Sequence, residues 1–186
     1  MALIILGLLL FAGVHLVPSL APGLKAAWHK KLGEGGYKGT YSLLLILSFV
    51  LMSMGWRSVQ PELVYLPPAG LRHGAMALAA IAFLLFIVSN RPSRLRLWIR
   101  HPQLTGVLLW AIAHLLVNGD NRSVVLFGAM GLWSCVEILA INRREGVWIK
   151  GDAPGIGTEL ITLLVTAIVI ALVIAIHPYI SGMPVF

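Results

Sequence analysis

Six apolar runs separated by short breaks restrict this chain more than any other feature. They fall at roughly 2–22, 39–57, 70–90, 102–118, 123–141 and 158–178, each read as a helix that crosses the roughly 30 Å hydrocarbon layer of a bilayer. Lipid offers the backbone no hydrogen bonds, so a spanning segment must satisfy its own N–H and C=O groups. The balance of the chain agrees: 11% of residues are charged, against about a quarter in soluble domains, and the mean hydropathy is +0.90. An all-α integral membrane bundle of six transmembrane helices, one domain over residues 1–186, is predicted.

The breaks set an orientation. Lys25, Lys30, Lys31 and Lys38 fill the first, Arg91, Arg94, Arg96 and Arg100 the third, and Arg143, Arg144 and Lys150 the fifth. Only Arg57, Arg72 and Arg122 lie in the others, which leaves 11 of the 14 basic residues on one side. Positive residues stay cytoplasmic, so both termini are expected on the non-cytoplasmic side of a bacterial inner membrane. No basic residue precedes the apolar core of MALIILGLLLFAGVHLVPSLAP, which therefore reads as a retained first helix rather than a signal peptide. The excess of positive charge sits in these clusters, a pattern that matches topology and anionic lipid rather than nucleic acid.

Pro18 and Pro22 are expected to end the first helix, and Pro102 suits the first turn of the fourth. Asn118-Gly119-Asp120 reads as a helix stop with a left-handed glycine cap and a short hairpin. GEGGYKG at 33–39 and GDAPGIG at 151–157 follow no strand and match no phosphate loop, so both are expected to be flexible cytoplasmic loops. Cys135 is the only cysteine, and no CxxCH is present. An intrachain disulfide and covalent c-type haem are thereby excluded.

Ionisable groups inside spans are expensive and mark function by default. Here they are His15, His73, His114, Glu137, Glu159 and His177, with His101 at a boundary. Gln103, Val107, Trp110, His114 and Asn118 form one stripe on the fourth helix, expected to face the interior. Glu159, Thr162, Thr166 and His177 share a face of the sixth. Glu137 is expected to pair with Arg143 or Arg144, and Glu159 to favour its helix dipole. Trp56, Tyr65, Trp148 and Tyr179 read as interfacial belt residues. His15 and His114 have no acidic neighbour in sequence, so neutral imidazoles are expected. Two imidazoles from different helices can hold a haem iron between them. No closed His/Cys/carboxylate spacing points to zinc.

RHPQLTGVLLWAIAHLLVNGD at 100–120 is similar to the hallmark segment of the NnrU family, with its Arg-His-Pro, Gly, Trp-Ala, Ala-His-Leu and Asn-Gly-Asp. LFAGVHLVPSL at 10–20, LGEGGYKGTYSLL at 32–44 and IHPYISGMPV at 176–185 extend the resemblance along the chain. The family is linked to denitrification gene clusters, in support of nitrite and nitric oxide reductase. Its relatives include 15-cis-zeta-carotene isomerase, a haem b enzyme that isomerises a polyene. The resemblance implies iron ligation by His114 and His15. That isomerase also has a cysteine three residues before the helix-four histidine, where this chain has Ala111, so plain bis-imidazole ligation is implied. Trp110 would pack on the macrocycle, and Arg100 or Arg122 would meet a propionate.

Arg100-His101-Pro102 followed by Gly106 also resembles the RHPxxxG segment of membrane methyltransferases of the isoprenylcysteine type. That implies an S-adenosylmethionine pocket around Arg100, His101, Glu137 and Arg144. A non-catalytic assembly factor, whose polar residues only lock the bundle, is the third reading.

Overall fold

The computed structural model describes residues 1–68 and 70–182 and is all-helical. Six α-helices follow in order: α1 (Ala2–Leu20), α2 (Pro22–Ser58), α3 (Arg72–Ser89), α4 (Pro102–Leu115), α5 (Asn121–Glu145) and α6 (Ile156–Ser181). A short 3-10 turn covers Arg94–Leu97. Among the described residues the only β pairing is a single bridge, Leu63 to Asp120. Five of the helices are long and apolar enough to cross a membrane, and α4, at 14 residues, is shorter. Leu9, Leu43, Leu132, Leu160 and Leu164 are each more than half exposed on helix flanks, as lipid-facing side chains must be. The protein is a multi-pass membrane protein by these helices.

Two sequence expectations about helix ends need correction. Pro18 does not end α1, which runs through it to Leu20, and Pro22 instead occupies the first turn of α2. A proline there forfeits only an N–H that has no helical partner. The GEGGYKG stretch is not a flexible loop. It lies within α2, which continues from residue 22 to 58 with one break at Gly33 (φ 67°, ψ 177°), a conformation that a side chain would disfavour. Trp28 on the short arm donates its indole N–H to the Thr40 hydroxyl at 3.0 Å and meets Tyr37 edge-on, which ties the two arms together.

Small residues set the helix spacing, as in other membrane bundles. Gly7 of α1 lies on Ser48 and Met52 of α2, and Gly55 of α2 lies on Leu3 and Ile4. Gly106 brings α4 onto Phe86 and Ala82 of α3 in the same way. The apolar core gathers Ile4, Leu8 and Phe11 of α1, Met52 of α2, and Met130 and Trp133 of α5. On α6, Thr162 and Thr166 are buried, as their shared face suggested. Glu159 does more than sit in a first turn: it accepts from the Arg94 N–H at 2.6 Å and the Ser93 hydroxyl at 3.1 Å, joining α6 to the 3-10 turn.

At the opposite end, residues 62–65 clasp the hairpin between α4 and α5. The Val64 and Tyr65 N–H groups donate to the Gly119 carbonyl at 2.8 and 3.1 Å. The Tyr65 hydroxyl donates to the carbonyls of Leu115 and Asn118, so it closes the end of α4 rather than serving as a simple belt residue. Burial, then the Asp120 charge, raises the Tyr65 phenol above its ordinary value, which keeps it a donor. Gly119 does not adopt a left-handed conformation. Glycine is required because a Cβ there would lie 1.9 Å from the Tyr65 carbonyl oxygen.

Asp120 caps α5 through the Ser123 N–H at 3.1 Å and the Ser123 hydroxyl at 2.6 Å. Burial raises its carboxyl, but the Ser123 hydrogen bonds and the Arg122 charge outweigh that, leaving it below the ordinary aspartate range. The unfolded chain therefore takes up this proton first. The stabilisation is complete above the ordinary aspartate range and fades as pH falls through the lower folded value. Asp120→Ala is expected to cost about 1 kcal/mol at neutral pH. Thermal midpoints in detergent should show that difference shrinking in acid; a pH-independent difference would deny the cap its charge.

Candidate cofactor site

α5 is the wall on which both candidate histidines rest. Its Phe127 and Gly131 face α4, while Met130, Trp133 and Glu137 face α1. His15 of α1 lies against Trp133 (ring centroids 5.1 Å), Phe11 (4.2 Å) and Tyr41 of α2 (5.9 Å). His114 of α4 stacks on Phe127 at 4.3 Å and meets Trp110 at 4.8 Å. Both imidazoles are half-buried.

The two rings are prepared alike. Nδ1 of His15 lies 2.9 Å from the Phe11 carbonyl, and Nδ1 of His114 lies 2.8 Å from the Trp110 carbonyl. A carbonyl can only accept, so the proton is on Nδ1 in each case and a neutral ring carries its lone pair on Nε2. Fixing one ring nitrogen on a carbonyl to present the other is the usual support of a metal-binding histidine.

Their relative placement follows from α5. Trp133 and Phe127 are six residues apart, about 9 Å in height. They also project from different sides of the helix. Each imidazole has its own packed ring pair beside it: Phe11 with Trp133, at 4.9 Å, next to His15, and Trp110 with Phe127, at 4.9 Å, next to His114. The structure thus brings His15, His114 and Trp110 onto one aromatic wall without placing the two imidazoles ring to ring. The expected polar stripe on α4 is only half-buried, with Gln103 exposed; the buried residues are Pro102, Gly106 and Ala113 on one side, where Gly106 meets α3, and Ala111 on the other, against α5. Small residues take the interior because α3 and α5 approach so closely.

Arg100 is not part of this group. Fourteen residues, about 20 Å of helix, separate it from His114, and its guanidinium donates to the Gly146 carbonyl at 2.7 Å and reaches Glu145 at 3.5 Å. Arg122 is at the His114 end, 4.4 Å over the Trp56 ring and 3.4 Å from Asp120. His101 pairs through Nε2 with the Asn142 amide oxygen at 2.9 Å. Arg144 donates to the Pro18 carbonyl at 2.9 Å and to Glu145. Hydrogen bonding from Arg144, aided by Arg144 and Arg100 charge, outweighs burial and holds the Glu145 carboxyl below its ordinary value.

Glu137 therefore does not pair with Arg143 or Arg144. Its Oε1 accepts from the Ser19 hydroxyl near the end of α1, while Arg144 is taken by the neighbouring Pro18 carbonyl and by Glu145. Its Oε2 and the Trp133 indole nitrogen are buried and have no hydrogen-bond partner among the described residues. Sequence reasoning missed Ser19, Tyr41, Phe127 and Trp133. Only the four-residue step from Trp133 to Glu137 on α5 could have signalled them, and the uniformly apolar surroundings concealed it.

Each imidazole offers the lone pair an iron ligand needs, but the two do not face one another across a common space, so in this arrangement they do not hold one haem between them. Among the described residues no three His, Cys, Asp or Glu side chains gather. No curated protein and no solved structure is matched by this chain. The family profile described as NnrU protein matches residues 3–185. That match leaves out only a few terminal residues and includes the segment around His114, and the chain belongs to the NnrU family.

Proposed function

We propose that this protein is a haem b-binding, redox-linked protein of the bacterial inner membrane, with His15 and His114 as the candidate iron ligands. The twin Nδ1-to-carbonyl bonds carry this reading, since each leaves Nε2 of a neutral imidazole available. The chain's residues bind and orient: Phe11 and Trp110 carbonyls set the tautomers, and Phe127 and Trp133 hold the ring planes. Arg122 is the cation at the His114 end for a propionate, a role Arg100 is too distant to share. Haem, when bound, supplies one-electron exchange at iron. In this reading that exchange serves either isomerisation of a bound polyene or the support of denitrification enzymes. Ala111, 1% exposed in the contact with α5, provides no thiol, which leaves imidazole as the ligand. In this reading all six helices cross the membrane as one domain, with the clusters of basic residues cytoplasmic and both termini outside.

Absorption spectra of the purified protein, oxidised and reduced, test this against His15→Ala and His114→Ala. The expected result is a low-spin spectrum in the wild type that is lost in both variants. A colourless protein after expression with ample haem overturns the reading; loss in His114→Ala alone would remove His15 from the ligand pair.

One observation favours a second reading. Arg100, His101, Asn142, Arg144 and Glu145 converge at the basic end of the bundle, where a methyltransferase would hold S-adenosylmethionine. Calorimetric binding of that compound, abolished by Arg100→Ala, would favour it; no heat would exclude it.

A further inference from the structure

The basic end of the bundle carries apolar side chains that the helices do not account for. Trp98, Val147 and Ile149 lie outside the helices and are 82%, 88% and 89% exposed. The two breaks share a triplet: Trp98-Ile99-Arg100 in one and Trp148-Ile149-Lys150 in the other. Large exposed apolar groups beside cations are poorly suited to water and well suited to the boundary between headgroups and acyl chains.

The cations there fall into two sets. Arg91, Arg100 and Arg144 are bonded within the protein, to Thr162, to Gly146 and Glu145, and to Pro18 and Glu145. The side chains of Arg94, Arg96 and Arg143 reach no carboxylate among the described residues. Nearby acids do not cancel them. Glu145 is occupied by two arginines, and Glu159 by Ser93 and the Arg94 backbone; Asp152 is a single charge in the later break. Lys150 is held 4.9 Å over the Trp148 ring.

We propose that the breaks around Trp98 and around Val147–Lys150 form a platform for anionic phospholipid of the cytoplasmic leaflet. Trp98, Val147 and Ile149 enter the acyl boundary, and Arg94, Arg96 and Arg143 take the phosphates. Arginine suits this task because its planar fork matches phosphate oxygens in pairs. Negative charge on the cytoplasmic leaflet supplies the complementary field. The platform uses none of the candidate haem ligands, so it stands or falls apart from them.

The full-length protein in neutral detergent is titrated with phosphatidylglycerol or with phosphatidylcholine of the same acyl chains, and its thermal midpoint is followed. Phosphatidylglycerol is expected to raise the midpoint at least about twice as far, with the difference fading at high salt. Arg94→Gln/Arg96→Gln/Arg143→Gln should erase the preference, and Trp98→Ala should weaken the response to both lipids. Equal shifts for the two lipids in the wild type would overturn the proposal and turn attention to an acidic protein partner. Reproduction of the full effect by inorganic phosphate alone would also overturn it, as would a folded triple variant that keeps the preference. The wild-type comparison decides even where the triple variant does not fold.

Discussion

Gly119→Ala is expected to lower stability by about 3 kcal/mol, the cost of opening the clasp at the C-terminal end of α4. The Ala Cβ would need the space of the Tyr65 carbonyl, 1.9 Å away, and that atom is backbone rather than a mobile side-chain tip. Relief requires residues 62–65 to retreat, which breaks the Val64 and Tyr65 N–H bonds to the Gly119 carbonyl. It also draws the Tyr65 hydroxyl from the Leu115 and Asn118 carbonyls. Those carbonyls close the turn that follows His114, so the seat of this imidazole against Phe127 should loosen with stability. Thermal midpoints and amide exchange near 115–121 check this together. A variant as stable as the wild type, with unchanged exchange, would mean the clasp contributes nothing.

Gly55→Ala is expected to cost a similar amount, about 2–3 kcal/mol, by forcing α1 from α2. Its Cβ would lie 2.6 Å from the Ile4 backbone nitrogen and 2.7 Å from Ile4 Cγ1. Ile4 is fully buried at the head of the core that includes Phe11 and Trp133, so the strain has no soft outlet. Movement of α1 would carry His15 away from Trp133 and Ser19 away from Glu137. The expected signature is a lowered midpoint with changed tryptophan fluorescence. Gly13→Ala, which meets nothing within 4 Å, is the matched control and should change neither.

Comparison of these residues shows where sequence reasoning reaches. Apolar runs located the helices because lipid permits so few backbone arrangements, whereas Pro18 and Pro22 misled about where the first helix ends. His15 and His114 stood out because an imidazole among aliphatic residues is unusual. The helical character of 22–38 was hidden by its glycines and lysines, since propensity there is overruled by packing of Trp28 against Tyr37 and Thr40. The fate of Glu137 was hidden for another reason. Charge complementarity suggested Arg144, but Arg144 is taken by the Pro18 carbonyl and by Glu145, a tertiary fact. Gly119 was legible as a constrained position, while the cause, a backbone passing above it, lies in a segment distant in sequence.

The clasp has a consequence for how the family can diverge. A side chain at position 119 becomes tolerable only if the 62–65 backbone changes course, and a new course for that segment surrenders the seal on α4 unless another residue replaces the Tyr65 hydroxyl. Substitutions in the two segments should therefore be inherited as sets, with intermediates carrying one change alone selected against. Aligned relatives would then show positions 65 and 119 varying in concert.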